Sequence, residues 1–582
     1  MIDTDSESEK ERFFLKSKLL VIGLDGATFR IIDPLIDKGL LPTIQRLRDK
    51  GVYSVLDSTV DTNSPCAWST FISGKNPGKH GIFGFFEAKP NSYDVRFLNG
   101  AFRSGKPIWR ILGDNGKKVG VINVPFSYPA EEVNGFMIAG PDSPNKYDDK
   151  FAYPPGVISE LEMNSGPYII EAGASALVRQ GKLSQAIQKL HDCIEARVAA
   201  ARYFLKRNSY DFFMVVFTES DRVQHHFWKY INPQHPAYSS SQNAQLRNTI
   251  YDVYVRLDRA VEDIVKAAGP DYAVLLMSDH GAGPSSPKTF FINRWLESAG
   301  YLTYKNDETM KDAAKSFFEK TISKSYVYVK SRFSRRWKRM LRNLLPGIKN
   351  KASSILRGSQ IDWQNTKAFS WENSPAIYIN QKQRFPFGPI ESGGDYERVR
   401  EDIIRGLLQL TSPIDGERVV ESVQKKEEVY WGPYLDKAPD LFVRWRNDDY
   451  TVRPGFATQS NNFIEVITDT ELGKVETIAR PSGVHMPEGI FIFSGSGINS
   501  GIMTGNLKLY DITAIILYYL GVPIPGDFDG RVVSKIFTDA FLNDNDLVYA
   551  ELASERQGAE YSYSEAESRI IAERLQGLGY ID

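Results

Sequence analysis

The chain has 582 residues, 42% of them hydrophobic and 25% charged, with a formal net charge of −1. That composition excludes the disordered and fibrous classes and supplies enough apolar residues for one large core with insertions, or for two or three domains. A near-neutral charge excludes a global field drawing the molecule to nucleic acid or membrane, so no specific nucleic-acid binding is expected and any electrostatic partner must be recruited by a local patch.

Residues 1–17 read as a flexible acidic tail, and the opening MIDTDSESEKERFF lacks the apolar stretch of a secretory signal. No later run approaches the roughly 20 apolar residues of a spanning helix. The two cysteines, Cys66 and Cys193, make no disulfide framework and lack zinc-finger spacing, which fits a reducing compartment. The expected location is therefore cytoplasmic.

After the tail, Lys18–Leu24 is a short apolar run ending at Asp25-Gly26, the pattern of a buried strand delivering a carboxylate to its C-terminal end. The pattern recurs where Phe212–Phe217 leads into Thr218-Glu219-Ser220-Asp221, and where Ala273–Met277 leads into Ser278-Asp279-His280-Gly281. Helical periodicity fills the intervals, notably over 184–206 and 248–268. Strands alternating with helices predict an α/β fold with a mainly parallel central sheet, helices on both faces and inserted cap segments. Ligands of such sheets bind beyond the carboxyl ends of the strands, so acids placed there by separate strands converge.

The core is expected to span 18–303 and to resume over 361–582, the second part carrying substrate-side insertions and closing helices. Between them, 304–360 reads as a basic amphipathic helical insertion. From Lys311 to Arg357 there are fourteen Lys or Arg against Asp312 and Glu319. Phe333, Trp337, Met340, Leu341, Leu344 and Leu345 fall on one helix face. Such a helix either packs its apolar face on the core or lies on an anionic membrane, so peripheral membrane contact through 311–357 is the alternative to simple packing.

Asp221 and His225 are spaced i and i+4, which points both side chains the same way from a helix. Asp279-His280 supplies adjacent ligands on a turn, and His485 precedes the apolar strand Ile490–Phe493. Mixed oxygen and nitrogen donors suit Zn²⁺ first and Mn²⁺ second. His226 points about 100° from His225 on a helix and is not expected to share its ion. Lys75, Lys79 and His80 are read as packing residues of the Asn76-Pro77-Gly78 turn, with phosphate contact as the alternative.

Ser64-Pro65 reads as a helix N-cap followed by proline at the first helical position. The same helix end carries partial positive charge and free N–H groups that attract phosphate. Cap and nucleophile are thus compatible roles, because a serine bound there to a divalent ion would be an alkoxide aimed at phosphorus.

The segments VIGLDGATF, SPCAWSTFISGKNPGKHGIFGF, FTESDRVQHHFWKY, MSDHGAG and GVHMPEGIFIFSG, in this order, resemble the alkaline phosphatase superfamily. The resemblance is strongest to its type I phosphodiesterase/nucleotide pyrophosphatase branch and the related predicted phosphohydrolase/phosphomutase proteins. It runs from about residue 18 to about 500, excludes the insertion, and extends to the closing DITAIILYYLGVPIPGDFDGRVV. It implies one ion held by Asp221, His225 and His485, and a second held by Asp25, Asp279 and His280. Ser64 would be the nucleophile and a ligand towards the second ion, forming a phosphoserine that water then hydrolyses.

Two departures narrow this. Where sulfatases of the superfamily carry proline two residues and arginine four residues after the nucleophile, this chain has Cys66 and Trp68, so sulfatase chemistry is not implied and Cys66 reads as a small buried residue. Nucleotide pyrophosphatases place a phosphate-holding asparagine shortly after the nucleophile; here His80-Gly81-Ile82-Phe83-Gly84 is followed by Phe85. The leading expectation is a two-metal hydrolase of phosphate mono- or diesters acting on a phosphorylated small molecule, nucleotide, sugar or lipid. A phosphomutase or phospho-group transferase using the same site is the first alternative, and a binding protein with a decayed site the second.

Overall fold

A computed structural model describes residues 17–235, 238, 244–305, 361–371, 373–455, 462–466, 481–551 and 561–581. The acidic tail up to residue 16 and most of the basic insertion, including all of 311–357, lie outside the described residues. No helix among the described residues is long and apolar enough to cross a membrane.

The scaffold is a ten-stranded mixed sheet. In chain order its main strands are β1 (Lys18–Leu24), β2 (Gly51–Asp57), β3 (Val119–Val124), β4 (Gly135–Ala139), β5 (Ala152–Tyr153), β6 (Phe212–Phe217) and β7 (Tyr272–Met277). A short ribbon joins β8 (Gly281–Pro284) to β9 (Gly483–Met486), and β10 (Glu488–Ser494) returns to the large sheet. The order across the sheet is β2-β10-β7-β1-β6-β3-β4-β5, with Ile502–Met503 and Leu507–Lys508 at the β2 edge. The neighbours from β7 to β4 pair in parallel, whereas β10 runs antiparallel to both β7 and β2.

Alternation along each strand builds two cores. Leu20, Ile22 and Leu24 of β1 join Phe213, Val215 and Phe217 of β6 on one face, while Leu19 and Val21 join Phe212, Met214 and Val216 on the other. With both faces buried, the strands are continuous apolar runs rather than alternating ones. The first face is covered by α2 (Leu183–Arg207) and α4 (Ala244–Ala268), the second by α1 (Ser64–Ser73) and α5 (Leu509–Tyr519). Each fully buried Leu, Ile, Val or Phe contributes about 1.5–3 kcal/mol, so truncation in either layer costs about 2–5 kcal/mol. A third apolar cluster, centred on Phe290, Ile377, Ile379, Leu441 and Val443, supports a smaller antiparallel sheet of Ala368–Phe369, Ala376–Ile379, Leu441–Trp445 and Val420–Lys425.

The register of the large sheet positions the site. Leu24 sits opposite Phe217 and Gly23 opposite Met277, so the carboxyl ends of β1, β6 and β7 are level. Because β10 runs the other way, the residues at this rim precede it, and Glu488 lies opposite Asp57 at the end of β2. His485 therefore reaches the same rim as Asp25 and Asp279 from the opposite chain direction.

Candidate metal and active centre

Three strand ends meet at Gly26. Its backbone adopts φ +65°, and a Cβ there would stand 3.2 Å from Asp221 Oδ1 and 3.3 Å from His280 Cε1. Only glycine fits both the left-handed backbone and the close approach. The Gly26 N–H donates to Asp279 Oδ1 at 3.3 Å. Ser278 staples the rim, its hydroxyl donating to Ala27 O at 3.0 Å and accepting from Ile490 N at 2.8 Å.

Helix α3 (Glu219–Phe227), which follows β6, carries Asp221 and His225. It is seated from several sides: Ser220 Oγ donates to Asp25 O at 2.7 Å and Gln224 Nε2 to Gly26 O at 2.9 Å. At its start, Arg197 of α2 donates to Glu219 at 2.7 Å, a fully buried ion pair that fixes one helix against the other. Breaking one partner of such a pair costs about 3–5 kcal/mol, because the other is left buried and uncompensated.

The histidine arrangement fixes tautomers. The Nδ1 atoms face backbone carbonyls: His225 on Gly483 O at 3.0 Å, His280 on Gly281 O at 2.9 Å and His485 on Thr62 O at 2.7 Å. A carbonyl only accepts, so each Nδ1 carries the proton and each Nε2 presents a lone pair. Those lone pairs converge. His225 Nε2 lies 3.1 Å from His485 Nε2 and 3.1 Å from Asp221 Oδ1, and His485 Nε2 lies 3.2 Å from the same carboxylate oxygen. Three acceptor atoms at this spacing have no proton to share, and a cation between them resolves the conflict.

A second group lies deeper. His280 Nε2 is 3.7 Å from Asp25 Oδ1 and 3.3 Å from Asp279 Oδ2. All three atoms are buried without a hydrogen-bond partner among the described residues. Orphaned carboxylate oxygens facing an imidazole lone pair are the donor set of a Zn²⁺ or Mn²⁺ site, so the residues present fit a divalent ion. The ligand atoms within mutual reach are those of Asp221, His225 and His485, and those of Asp25, Asp221 and His280. Asp221 thus belongs to both groups, and Asp279 enters through its contact with His280.

The electrostatics follow from this crowding. Burial pushes the Asp25 carboxyl up, and Asp221 adds to it; Asp279 is raised well above the ordinary range by burial and by Asp25. Burial also acts upward on Asp221, but His225 and His485, when a proton stands at Nε2 in place of a cation, outweigh it and hold that carboxyl well below its usual value. Burial and the neighbouring His485 keep His280 neutral, well below its usual value.

Ser64 differs from its sequence reading in one respect. Asn63, not Ser64, caps α1: its side chain accepts from Cys66 N at 2.9 Å and donates to Phe83 O at 2.9 Å. Ser64 occupies the first helical position and Pro65 follows it. Two adjacent residues with capping side chains compete here, and proline is accepted one position further in. Asn63 thereby relieves the Ser64 hydroxyl of cap duty. One turn along the same face, Trp68 Nε1 donates to Asp25 Oδ2 at 3.2 Å, so the Ser64 face of α1 is turned towards the buried half of the cluster.

Residues read as bystanders behave as such. His226 Nε2 meets Ser175 Oγ at 2.8 Å and belongs to neither candidate ligand group, and His80 is buried with Nε2 3.0 Å from Thr70 Oγ1. Lys79 binds Asp529 at 2.7 Å and Lys75 pairs with Asp527. Cys66 is buried. Arg222 donates to Asp221 Oδ2 at 3.2 Å. Sequence reasoning missed Gly26 and Trp68. It also missed Tyr580, whose hydroxyl reaches His485 Nε2 at 2.9 Å and His225 Nε2 at 3.2 Å. Beyond these imidazoles opens a cavity of about 980 Å³ whose walls include Asn63, Phe85, Lys229, Arg444 and Arg453.

Comparison with known proteins gives the class to which this fold and cluster belong. The chain belongs to the type I phosphodiesterase / nucleotide pyrophosphatase family, which it matches over residues 19–462. His485 lies beyond that segment. Among solved structures, phosphonoacetate hydrolase from Sinorhizobium meliloti 1021 in complex with phosphonoformate superimposes with a TM-score of 0.52 at 15% identity, over 87% of this chain and 96% of that one. The same enzyme with phosphonoacetate gives 0.50 at 14%, over 87% and 96%. An inactive murine ectonucleotide pyrophosphatase/phosphodiesterase 5 in complex with AMP gives 0.47 at 12% identity, over 87% and 95%. At these identities the likeness is one of fold. No curated protein sequence matches the chain.

Proposed function

We propose that the protein is a two-metal-dependent hydrolase of phosphate esters, a phosphodiesterase or phosphomonoesterase acting through a phosphoserine at Ser64. Membership of the type I phosphodiesterase / nucleotide pyrophosphatase family supports phosphoric ester hydrolysis as the reaction class. The observation that carries the rest is the set of imidazoles whose Nδ1 protons are committed to carbonyls, leaving Nε2 lone pairs converging beside buried carboxylates.

Asp221, His225 and His485 would hold one divalent ion, and Asp25, Asp279 and His280 the other, with Asp221 placed between them. Zn²⁺ is the first choice for this donor set and Mn²⁺ the second. Bound ions would supply Lewis acidity and lower the pKa of a coordinated hydroxyl. The chain's own contribution is positional. Asn63 takes over the capping role, the start of α1 directs N–H groups at a phosphate, and Ser64 Oγ forms the bond to phosphorus as the ester oxygen leaves with a proton. Water then cleaves the phosphoserine and restores the Ser64 hydroxyl. Arg444, Arg453 and Lys229 make the cavity suited to an anionic, phosphorylated substrate.

The test is a panel of bis-p-nitrophenyl phosphate, p-nitrophenyl phosphate, a dinucleotide and phosphonoacetate, run on metal-stripped protein before and after Zn²⁺ or Mn²⁺ is restored. Turnover is expected only after restoration. Ser64→Ala should lower kcat by at least about 10³-fold and abolish trapped phosphoenzyme while leaving metal content intact. Full turnover by that variant overturns the nucleophile.

A further inference from the structure

Tyr580 stands where the outer half of the cluster meets the cavity. It follows α6 (Glu565–Leu578), which ends in Gly579 at φ +82°. That left-handed turn, with Pro481 Cγ 2.5 Å from where a Cβ would project, admits no side chain and directs the next residue inward. The arm is docked along its length. Ile571, Leu575 and Leu578 are buried, and Arg574 donates to Pro141 O at 2.9 Å and Ser143 O at 2.6 Å. Asn373 Nδ2 donates to Gly579 O at 2.7 Å. The Tyr580 ring stacks on Phe85 at 4.7 Å between centroids.

The hydroxyl so delivered lies 2.9 Å from His485 Nε2 and 3.2 Å from His225 Nε2, while the histidines and Asp221 Oδ1 are 3.1–3.2 Å from one another. A phenol has one proton and can satisfy only one of the two lone pairs facing it. These distances are five of the six edges of a donor quartet, and at 2.9–3.2 Å they approach the separation of about 3.3 Å between tetrahedral ligands about 2.0 Å from a Zn²⁺.

On the reading that this cluster holds divalent ions, the geometry points to Tyr580 as the fourth ligand of the ion bound by Asp221, His225 and His485, and to the 561–581 arm as a tethered inhibitor of the site. Ligation exchanges the O–H bond for a metal–oxygen bond and releases the proton to solvent. A catalytic ion keeps one coordination position open for water or substrate, and here the chain fills it with its own oxygen. Being intramolecular, the tyrosine competes at a high effective concentration, so turnover requires the arm to withdraw.

The test compares the full chain with Tyr580→Phe, which keeps the ring against Phe85. Loaded with Cu²⁺ as a spectroscopic probe, the parent protein should show a visible tyrosinate-to-metal charge-transfer band that the variant lacks, with both retaining d–d absorption. Zn²⁺ binding at that site should release one more proton from the parent than from the variant. Hydrolysis by zinc-loaded Tyr580→Phe should be at least about tenfold faster, because a competing ligand is removed. Identical spectra and proton release in the two proteins overturn the ligation; equal turnover overturns the inhibition. Ser64→Ala separates this inference from the hydrolase reading, since it should keep the band while losing phosphoenzyme. A band that disappears in Tyr580→Phe supports ligation even if no phosphate ester is cleaved, a result that defeats only the hydrolase.

Discussion

The half of the cluster around His280 is sealed, and the half around His225 and His485 faces the cavity. Asp25, Asp279 and His280 follow β1 and β7 directly, and Asp25 Oδ1, Asp279 Oδ2 and His280 Nε2 are buried without a hydrogen-bond partner among the described residues. His225 and His485 come from a helix and a two-stranded ribbon, and a tyrosine from a third element already contacts both. The inner half resembles a structural site in its seclusion, whereas the outer half is the one whose ligand can exchange. On the proposed reading the two halves would divide the labour of a paired-cation centre: the sheet itself would hold one ion, and the other would lie where substrate and chain compete for it.

The largest blow to that contrast is His280→Ala. It should remove the inner ion while Asp221, His225 and His485 keep the outer one, so bound metal falls from two equivalents to one and kcat falls on the order of 10³-fold, several kcal/mol of transition-state stabilisation. Metal analysis beside single-turnover kinetics measures both; retention of two equivalents would merge the halves into one site. Trp68→Phe sharpens the contrast at smaller cost. It removes the donor to Asp25 Oδ2 without touching a ligand of the outer ion. Zinc affinity at the inner site should weaken about 10–100-fold, with outer-site affinity unchanged in a chelator titration.

Much of the inner half was legible in the sequence, because a buried parallel strand ending in a carboxylate is a short, continuous apolar signal. The runs ending at Asp25 and before Asp279 became β1 and β7 nearly residue for residue, and in the outer half the i, i+4 spacing of Asp221 and His225 became one face of α3. The rest of the outer half was harder for physical reasons. His485 lies on the cluster because β10 runs antiparallel to β7, and strand direction leaves no trace in a hydrophobic run. The choice of Asn63 over Ser64 as the cap depended on a side-chain contact to Cys66 that composition cannot rank. Tyr580 gave no local signal at all: its role depends on a glycine turn after α6 and on a helix that docks from far along the chain. The sharing of Asp221 between both trios is likewise a distance, not a pattern.

The smallest expected effect concerns pH, and it tests whether the sealed half is strained without its ion. Burial and mutual repulsion raise the Asp25 and Asp279 carboxyls in the folded chain, so the stability they lend is present below the ordinary carboxylate range and is lost as pH rises through their folded values. His280 has the opposite sign: kept neutral by burial, it favours the folded state increasingly as pH climbs to its ordinary value of 6.5 and contributes no further slope above it. Asp221, held low, is flat throughout that upper range. Above 6.5 the carboxylates of the inner half therefore act alone, and metal-stripped protein should lose stability with rising pH. Zinc replaces the protons those carboxylates would otherwise keep, so the zinc-bound protein should lack this slope. Measured in Tyr580→Phe, where no tyrosine proton is displaced, the increase in Tm on adding Zn²⁺ should thus grow steadily from neutral to mildly alkaline pH. Titrating carboxylates elsewhere in the chain cancel between the two forms. A zinc-induced shift that is constant across this range would mean that the inner carboxylates are not the groups the ion engages.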